Sequence, residues 1–200
     1  MSSRVPPLST DYLLRLATLA DRPALERLIA DSARGLSAAD YTPEQIEGAL
    51  SGAFGVDTQL IDDGTYYAVE RRTVDPHSTP PLESQTPLTA CGGWSKRRTL
   101  FGGDRHAARD AGLLDPSTEA ARIRAFFVHP AHARRGLGTL LLERCERDAR
   151  AEGFTRLELM ATLPGVRLYT ARGFVAGEPV EHALAPGRTI GFVPMHKRLG

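Results

Sequence analysis

One segment constrains the fold of this chain more than any other. It reads Phe126-Phe127-Val128-His129-Pro130-Ala131-His132-Ala133-Arg134-Arg135-Gly136-Leu137-Gly138-Thr139 and runs directly into Leu140-Leu141-Leu142-Glu143-Arg144-Cys145-Glu146. Strand-forming residues up to Val128 meet Pro130, which cannot donate to a sheet ladder, so a strand predicted here ends there. Two arginines, two glycines one residue apart and a hydroxyl follow, and the leucines beyond predict a helix that starts near Leu137. Gly136 and Gly138 lack side chains, so the backbone can come close to a ligand and adopt positive φ. The first N–H groups of the helix have no helical partner and sit at the positive end of its dipole. Strand, basic glycine loop and helix together offer amide donors to a phosphate or pyrophosphate. Arg134 and Arg135 add positive charge and Thr139 adds a hydroxyl.

The two usual nucleotide loops match less well. A Walker loop needs Gly-Lys-Ser/Thr after four spacer residues, and that pattern is missing from the chain. A dinucleotide fingerprint needs a third small residue where Leu141 stands. Read alone, Arg-Arg-Gly-x-Gly also serves as an ordinary helix start behind a flexible turn.

Two hundred residues suit one domain with a real core, and a formal net charge of +1 with 42% hydrophobic residues describes a soluble globular protein. That balance excludes nucleic-acid binding by bulk charge. Cys91 and Cys145, the two cysteines, lie in apolar segments without Cys-x-x-Cys spacing. Neither a disulfide scaffold nor a metal site is expected, and a reducing, cytoplasmic setting fits. Residues 1–7 have no signal-peptide core, and no run approaches membrane-spanning length.

Along the chain, residues 12–18 read as a first strand. Asp21 as N-cap, with Pro23 in the first turn and apolar Leu25, Leu28 and Ile29, predicts a helix. Thr42-Pro43-Glu44-Gln45 forms a capping box at the start of a second helix through Ile46 and Leu50. Residues 58–61, 62–64 and 65–70 read as strand, turn and strand. Residues 71–87, rich in Pro, Ser and Thr, are expected to form a mobile loop, and strand character resumes at 88–94. A second long insertion, residues 96–119, is also expected as a mobile loop; insertions of that length are often functional when ordered. From Ala121 the order is strand, glycine loop, helix to about Glu152, Gly153 as C-cap and strand 155–161. A short helix ending at Arg172-Gly173-Phe174 and strands near 175–184 and 189–197 complete the chain. Helices and strands mix without strict alternation, so one α/β (α+β) domain with a single central sheet is predicted, its core spanning about residues 12–199.

Context narrows the ligand of the loop. Val128-His129-Pro130 followed by Ala133-Arg134-Arg135-Gly136-Leu137-Gly138 resembles the coenzyme-A signature of the GNAT (Gcn5-related N-acetyltransferase) superfamily. Leu168-Tyr169-Thr170-Ala171-Arg172-Gly173-Phe174 resembles that family's second hallmark, an apolar-Tyr helix closed by Gly-Phe. Ala133 stands where the family has Gln or Arg, and Thr162-Leu163-Pro164-Gly165 replaces a stretch where many relatives place an Asn on the cofactor.

The resemblance implies a mixed, mostly antiparallel sheet, splayed at the cofactor site and flanked by helices, and transfer of an acetyl group from acetyl-CoA to an amine with no metal. It implies that Arg134, Arg135, Gly136, Leu137, Gly138 and Thr139 hold the pyrophosphate. It assigns the backbone of Phe126, Phe127 and Val128 to the thioester and pantetheine arm, and Tyr169 to protonating the leaving thiolate. As a lone tyrosine on a short helix, Tyr169 would also pass for a core residue.

No general base stands out: Arg122 and Arg124 cannot serve, and Glu158, Glu70, Asp57, Asp62 and His129 are candidates without support. The 66–67 and 91–94 strands and the basic insertion are candidates to line an acceptor cleft, where arginines would suit a carboxylate or phosphate. The partner implied is a small-molecule or peptide amine, with a homodimer allowed and neither nucleic acid nor membrane involved. A CoA-binding sensor without turnover, or an interaction module on the same scaffold, stays open, since a fold alone does not guarantee chemistry.

Overall fold

A computed structural model of the chain describes residues 11–72, 87–106, 109–184 and 187–200. Apart from residues 71, 72 and 87, the first expected mobile loop lies outside the described residues. One sheet organises the rest. Strands β1 (Tyr12–Leu16), β2 (Tyr66–Arg71), β3 (Leu88–Ser95) and β4 (Ala121–Val128) pair antiparallel in sequence order. Strand β5 (Arg156–Thr162) joins β4 in parallel, and β8 (Thr189–Arg198) pairs antiparallel with β5, with β6 (Val175–Ala176) and β7 (Val180–Ala183). This is the mixed, mostly antiparallel sheet that the sequence leads one to expect.

Alternation along the strands feeds two cores. Tyr66 and Ala68 of β2 face one layer, with helices α1 (Arg22–Leu36) and α2 (Pro43–Leu50), while Tyr67 and Val69 face the other, with helix α4 (Leu137–Ala151). Leu141, Leu142 and Cys145 of α4 are fully buried; each leucine contributes roughly 1.5–3 kcal/mol of transfer free energy. The Thr42 box forms as read: Gln45 N donates to Thr42 Oγ1 (3.3 Å) and Thr42 N to Gln45 Oε1 (3.0 Å). Asp21 occupies the N-cap position of α1, but its carboxylate accepts instead from Thr18 N (2.7 Å) and from Arg15.

One element differs in type. Residues 58–61 form helix α3 (Thr58–Asp62) rather than a strand. The deciding contact comes from the distant insertion: Asp104 Oδ1 accepts from Thr58 N (2.9 Å) and Thr58 Oγ1 (3.0 Å), capping the first turn from outside.

That insertion is tethered. Leu114 N donates to Lys96 O (2.8 Å), Arg98 N to Gly112 O (2.9 Å) and Asp104 N to Val56 O (2.9 Å). Arg97 forms a two-pronged pair with Asp63 (2.6 and 2.7 Å), so described residues expected to float are laced to α3 and to one another.

Two irregularities in β4 position the site. Ala121 and Ile123 face the α4 layer, but so do Phe126 and Val128, while Ala125 and Phe127 face the α1 layer. The phase slips by one residue because a β-bulge lies opposite Gly92, with Ala125 in the left-handed region (φ 54°). Phe126 folds back over Gly92, where a Cβ would come within 2.6 Å of its ring. Second, β4 pairs with β5 only through Ala121–Leu157 and Arg122–Glu158, whereas β5 stays paired with β8 out to Thr162–Phe192. Beyond Arg122 the two central strands part.

Candidate functional site

The gap between the diverging strands opens into a cleft of about 870 Å³. One wall is β4 from Ile123 to Val128, and the other is Met160 with the turn Leu163–Gly165 and helix α5 (Val166–Ala171). The cleft has two arms, one toward the start of α4 and the other toward α1, the insertion and β8.

In the first arm, Arg134 (φ 62°) and Gly136 (φ 83°) are both left-handed. For Arg134 that conformation costs on the order of 1–3 kcal/mol. Such alternating backbone gathers amide groups around a concavity suited to anions. Leu140 N closes the first helical bond on Gly136 O (2.9 Å), so the N–H groups of Leu137, Gly138 and Thr139 precede the ladder. Arg134, Gly136, Leu137, Gly138 and Thr139 all line the cleft.

Arg135 does not; it is exposed and outside the cleft wall. The second cation facing this arm is Arg167 of α5, which the sequence reading passed over. Its position midway between Gly165 and Tyr169, two residues from each, was the available signal. Gly138 has a packing reason for lacking a side chain, since a Cβ there would sit 2.9 Å from Leu168 Cδ2.

At the centre lies the bulge. His129 N donates to Thr89 O (2.8 Å) and Phe127 pairs with Cys91, so by antiparallel alternation Phe126 and Val128 turn their N–H groups away from β3, toward the gap. Phe127 N–H belongs to the β3 side, which separates it from the other two. Val128 N donates to Ser32 Oγ at 3.2 Å.

Tyr169 lines the cleft beside this point, its ring centroid 6.2 Å from that of Phe126 and 5.6 Å from that of Phe174. Burial, with Cys145 below it, pushes its phenol well above the usual tyrosine value, so it keeps its proton. Tyr41 braces the same wall: its hydroxyl donates to Gly191 O (2.7 Å) and accepts from Leu163 N (2.7 Å), and burial raises its pKa to about 12.

The second arm is lined by Phe54, Phe101, Phe127 and Phe192, with Arg124 at its floor. Arg124 is almost fully buried; its Nη1 lies 2.6 Å from Asp57 Oδ2 and its Nη2 donates to Gly102 O (2.5 Å). Arg109 takes the other Asp57 oxygen at 2.6 Å. Burial lowers the Arg124 pKa against the opposing pull of Asp57.

The remaining candidates fall elsewhere. Tyr66, Tyr67 and Trp94 are buried in the two cores; Tyr66 donates to Cys91 Sγ (3.3 Å) and Tyr67 to Asp148, so neither strand lines the cleft. Glu158 pairs with Arg122, Glu70 with Arg15 and Asp57 with the two arginines, while Asp62 is exposed and His129 Nδ1 accepts from Ala131 N. None of the five lines the cleft, and among the described residues its sole carboxylate is exposed Asp40. Among the described residues no cluster of three His, Cys, Asp or Glu could hold a metal, and no helix is long and apolar enough to cross a membrane.

Residues 85–174, from β3 through α5, match the model of the acetyltransferase (GNAT) family. That stretch, a little under half of the chain, is similar to a GNAT acetyltransferase domain. The chain's fold is shared with a GCN5-related N-acetyltransferase from Rhodopseudomonas palustris, 20% identical over 96% of this chain and 98% of that one, with a TM-score of 0.62. PaiA N-acetyltransferase from Thermoplasma acidophilum, solved in complex with coenzyme A, is 12% identical over 94% and 99% of the two chains (TM-score 0.58). YncA from Salmonella typhimurium, solved with its cofactor acetyl-CoA, is 17% identical over 96% and 95% (TM-score 0.56). At these identities the likeness is one of fold. No curated protein matches the chain.

Proposed function

We propose that the chain is a GNAT-type enzyme that transfers an acetyl group from acetyl-CoA directly to an amine, using the continuous cleft through the β4–β5 gap. That continuity carries the reading: an anion-binding arm and an apolar arm meet at the bulge and at Tyr169. The N–H groups of Leu137, Gly138 and Thr139, with Arg134 and Arg167, suit the pyrophosphate. Phe126 N–H, aimed into the gap, suits the thioester oxygen, where a fixed donor stabilises charge developing in the transition state. Val128 N–H would have to exchange Ser32 Oγ for a pantetheine acceptor.

In the reaction the amine nitrogen bonds to the carbonyl carbon, the carbon–sulfur bond breaks, the thiolate takes the phenolic proton of Tyr169, and the phenolate recovers a proton from the water that receives the amine's. The amine loses its own proton to water, since none of the carboxylates considered as base reaches the cleft. Ala133 at the loop mouth does not weaken this reading, because backbone amides supply most of the donors.

Calorimetry with acetyl-CoA, followed by thiol release against a panel of amines, tests the proposal. Stoichiometric binding and amine-dependent release are expected. Absence of coenzyme binding would overturn it, and binding without release on a broad panel would assign the chain to sensing instead.

A further inference from the structure

The acceptor arm has a chemical character of its own. Phe101 and Phe192 lie 5.7 Å apart, Phe54 and Phe127 5.8 Å, and Phe54 and Phe192 6.2 Å, so aromatic rings from separate stretches form one continuous lining. Met160 completes it from β5. Among the described residues, the basic insertion nearby contributes no free cation to this lining. Arg97 is held by Asp63, Arg98 by Glu119 and Arg109 by Asp57, while Arg105 is exposed and outside the cleft wall. Arg124 reaches the arm with a side chain only 2% exposed and already matched to Asp57. An acceptor carboxylate or phosphate placed there would give up its hydration without gaining an unmatched cation.

We infer that the acceptor is a primary amine carried on an aromatic or bulky apolar body, with no carboxylate or phosphate of its own. The inference rests on the acetyl-transfer reading of the same cleft. Asp40, exposed on the rim, suits an arriving ammonium group. Deeper in, the apolar lining disfavours the charged form and so releases the neutral, nucleophilic amine without a dedicated base.

Phenethylamine and phenylalanine form a matched pair, alike except for the α-carboxylate, and ethylamine removes the ring. Phenethylamine should exceed both in kcat/KM by at least about 100-fold, a ratio within reach of pocket discrimination against a missing apolar body or a misplaced charge. Phe101→Ala and Phe192→Ala should each raise KM for phenethylamine about 10-fold while the acetyl-CoA Kd stays unchanged. Equal or better use of phenylalanine or ethylamine would overturn the inference. So would tight acetyl-CoA binding with no acetylation of apolar amines, an outcome that leaves the coenzyme reading standing. Loss of acetyl-CoA binding to the unaltered protein would instead remove the reading on which the inference rests.

Discussion

At the Gly136 end of the cleft, the run from Arg134 to Thr139, Arg135 apart, supplies almost everything, and most of it is backbone. At the Phe101 end, the lining comes from α1, the segment after α2 that holds Phe54, the insertion, β4, β5 and β8, and it is almost entirely side chain. A backbone site needs a local conformation, here two left-handed residues and a helix start, and a short run of chain can specify that. A side-chain site needs distant segments brought into register, and its character depends on which charges are cancelled on the way. The first end therefore reports a ligand class from its own sequence, whereas the second acquires its apolar character only once Asp57, Asp63 and Glu119 have engaged the arginines.

The contrast can be broken at either end. Gly136→Asp places a carboxylate against the pyrophosphate and a side chain at φ 83°. Repulsion of about 4 kcal/mol at 4 Å predicts loss of acetyl-CoA affinity by at least about 100-fold in calorimetry. An unchanged Kd would mean that the coenzyme lies elsewhere. At the other end, Asp57→Ala leaves Arg124 buried without its counter-ion and should destabilise the fold by about 3–5 kcal/mol in urea melts. Adding Arg124→Met should recover most of that loss, since an apolar side chain tolerates the vacated site. A second substitution that only deepened the loss would show that the ion pair is not what holds the insertion to the sheet.

Between the two ends, Tyr169→Phe should lower kcat about 100-fold while the acetyl-CoA Kd changes less than about 2-fold. Weaker binding with turnover intact would return Tyr169 to a packing role beside Phe126 and Phe174.

The smallest effect is with pH. One histidine stands near each end: His132, whose Nδ1 lies 3.0 Å from Tyr12 Oη, and His106, whose ring centroid is 4.9 Å from that of Phe101. Burial lowers the pKa of both, with His129 and His182 adding to the shift at His132 and His106 respectively. The unfolded chain takes up protons at about pH 6.5, where the native histidines still resist them. Stability is therefore full above that pH and falls as the pH drops through it toward the lowered native values. Melting temperature followed from pH 7.5 to 5.5 should fall, and His106→Gln and His132→Gln should each flatten the curve. A slope unchanged in both variants would place its origin in other groups.

Much of the architecture was legible because it is locally encoded. The Thr42–Gln45 box, the helix after Gly136 and the strand ending before Pro130 all form where the residues indicate. Residues 58–61 were misread because a run of two polar and two apolar residues fits either period, and the cap that decides it comes from Asp104. The bulge left a trace: Ala121-Arg122-Ile123-Arg124 alternates, then Ala125-Phe126-Phe127-Val128 breaks phase. A break in phase says that a strand is irregular, but not which face each residue will take.

By itself the sequence determined the glycine turn before α4, the two-faced sheet and the helix that carries Tyr169, since each follows from periodicity, capping and backbone freedom over a few neighbouring residues. The tertiary structure alone decided that Arg167 rather than Arg135 faces the cleft and that Glu158 and Asp57 are spent on arginines. It also decided that the basic insertion delivers Phe101 rather than a free cation to the apolar arm of the cleft. Those outcomes depend on charge pairing and desolvation between residues far apart in the chain, and no local pattern encodes which partner a buried charge will find.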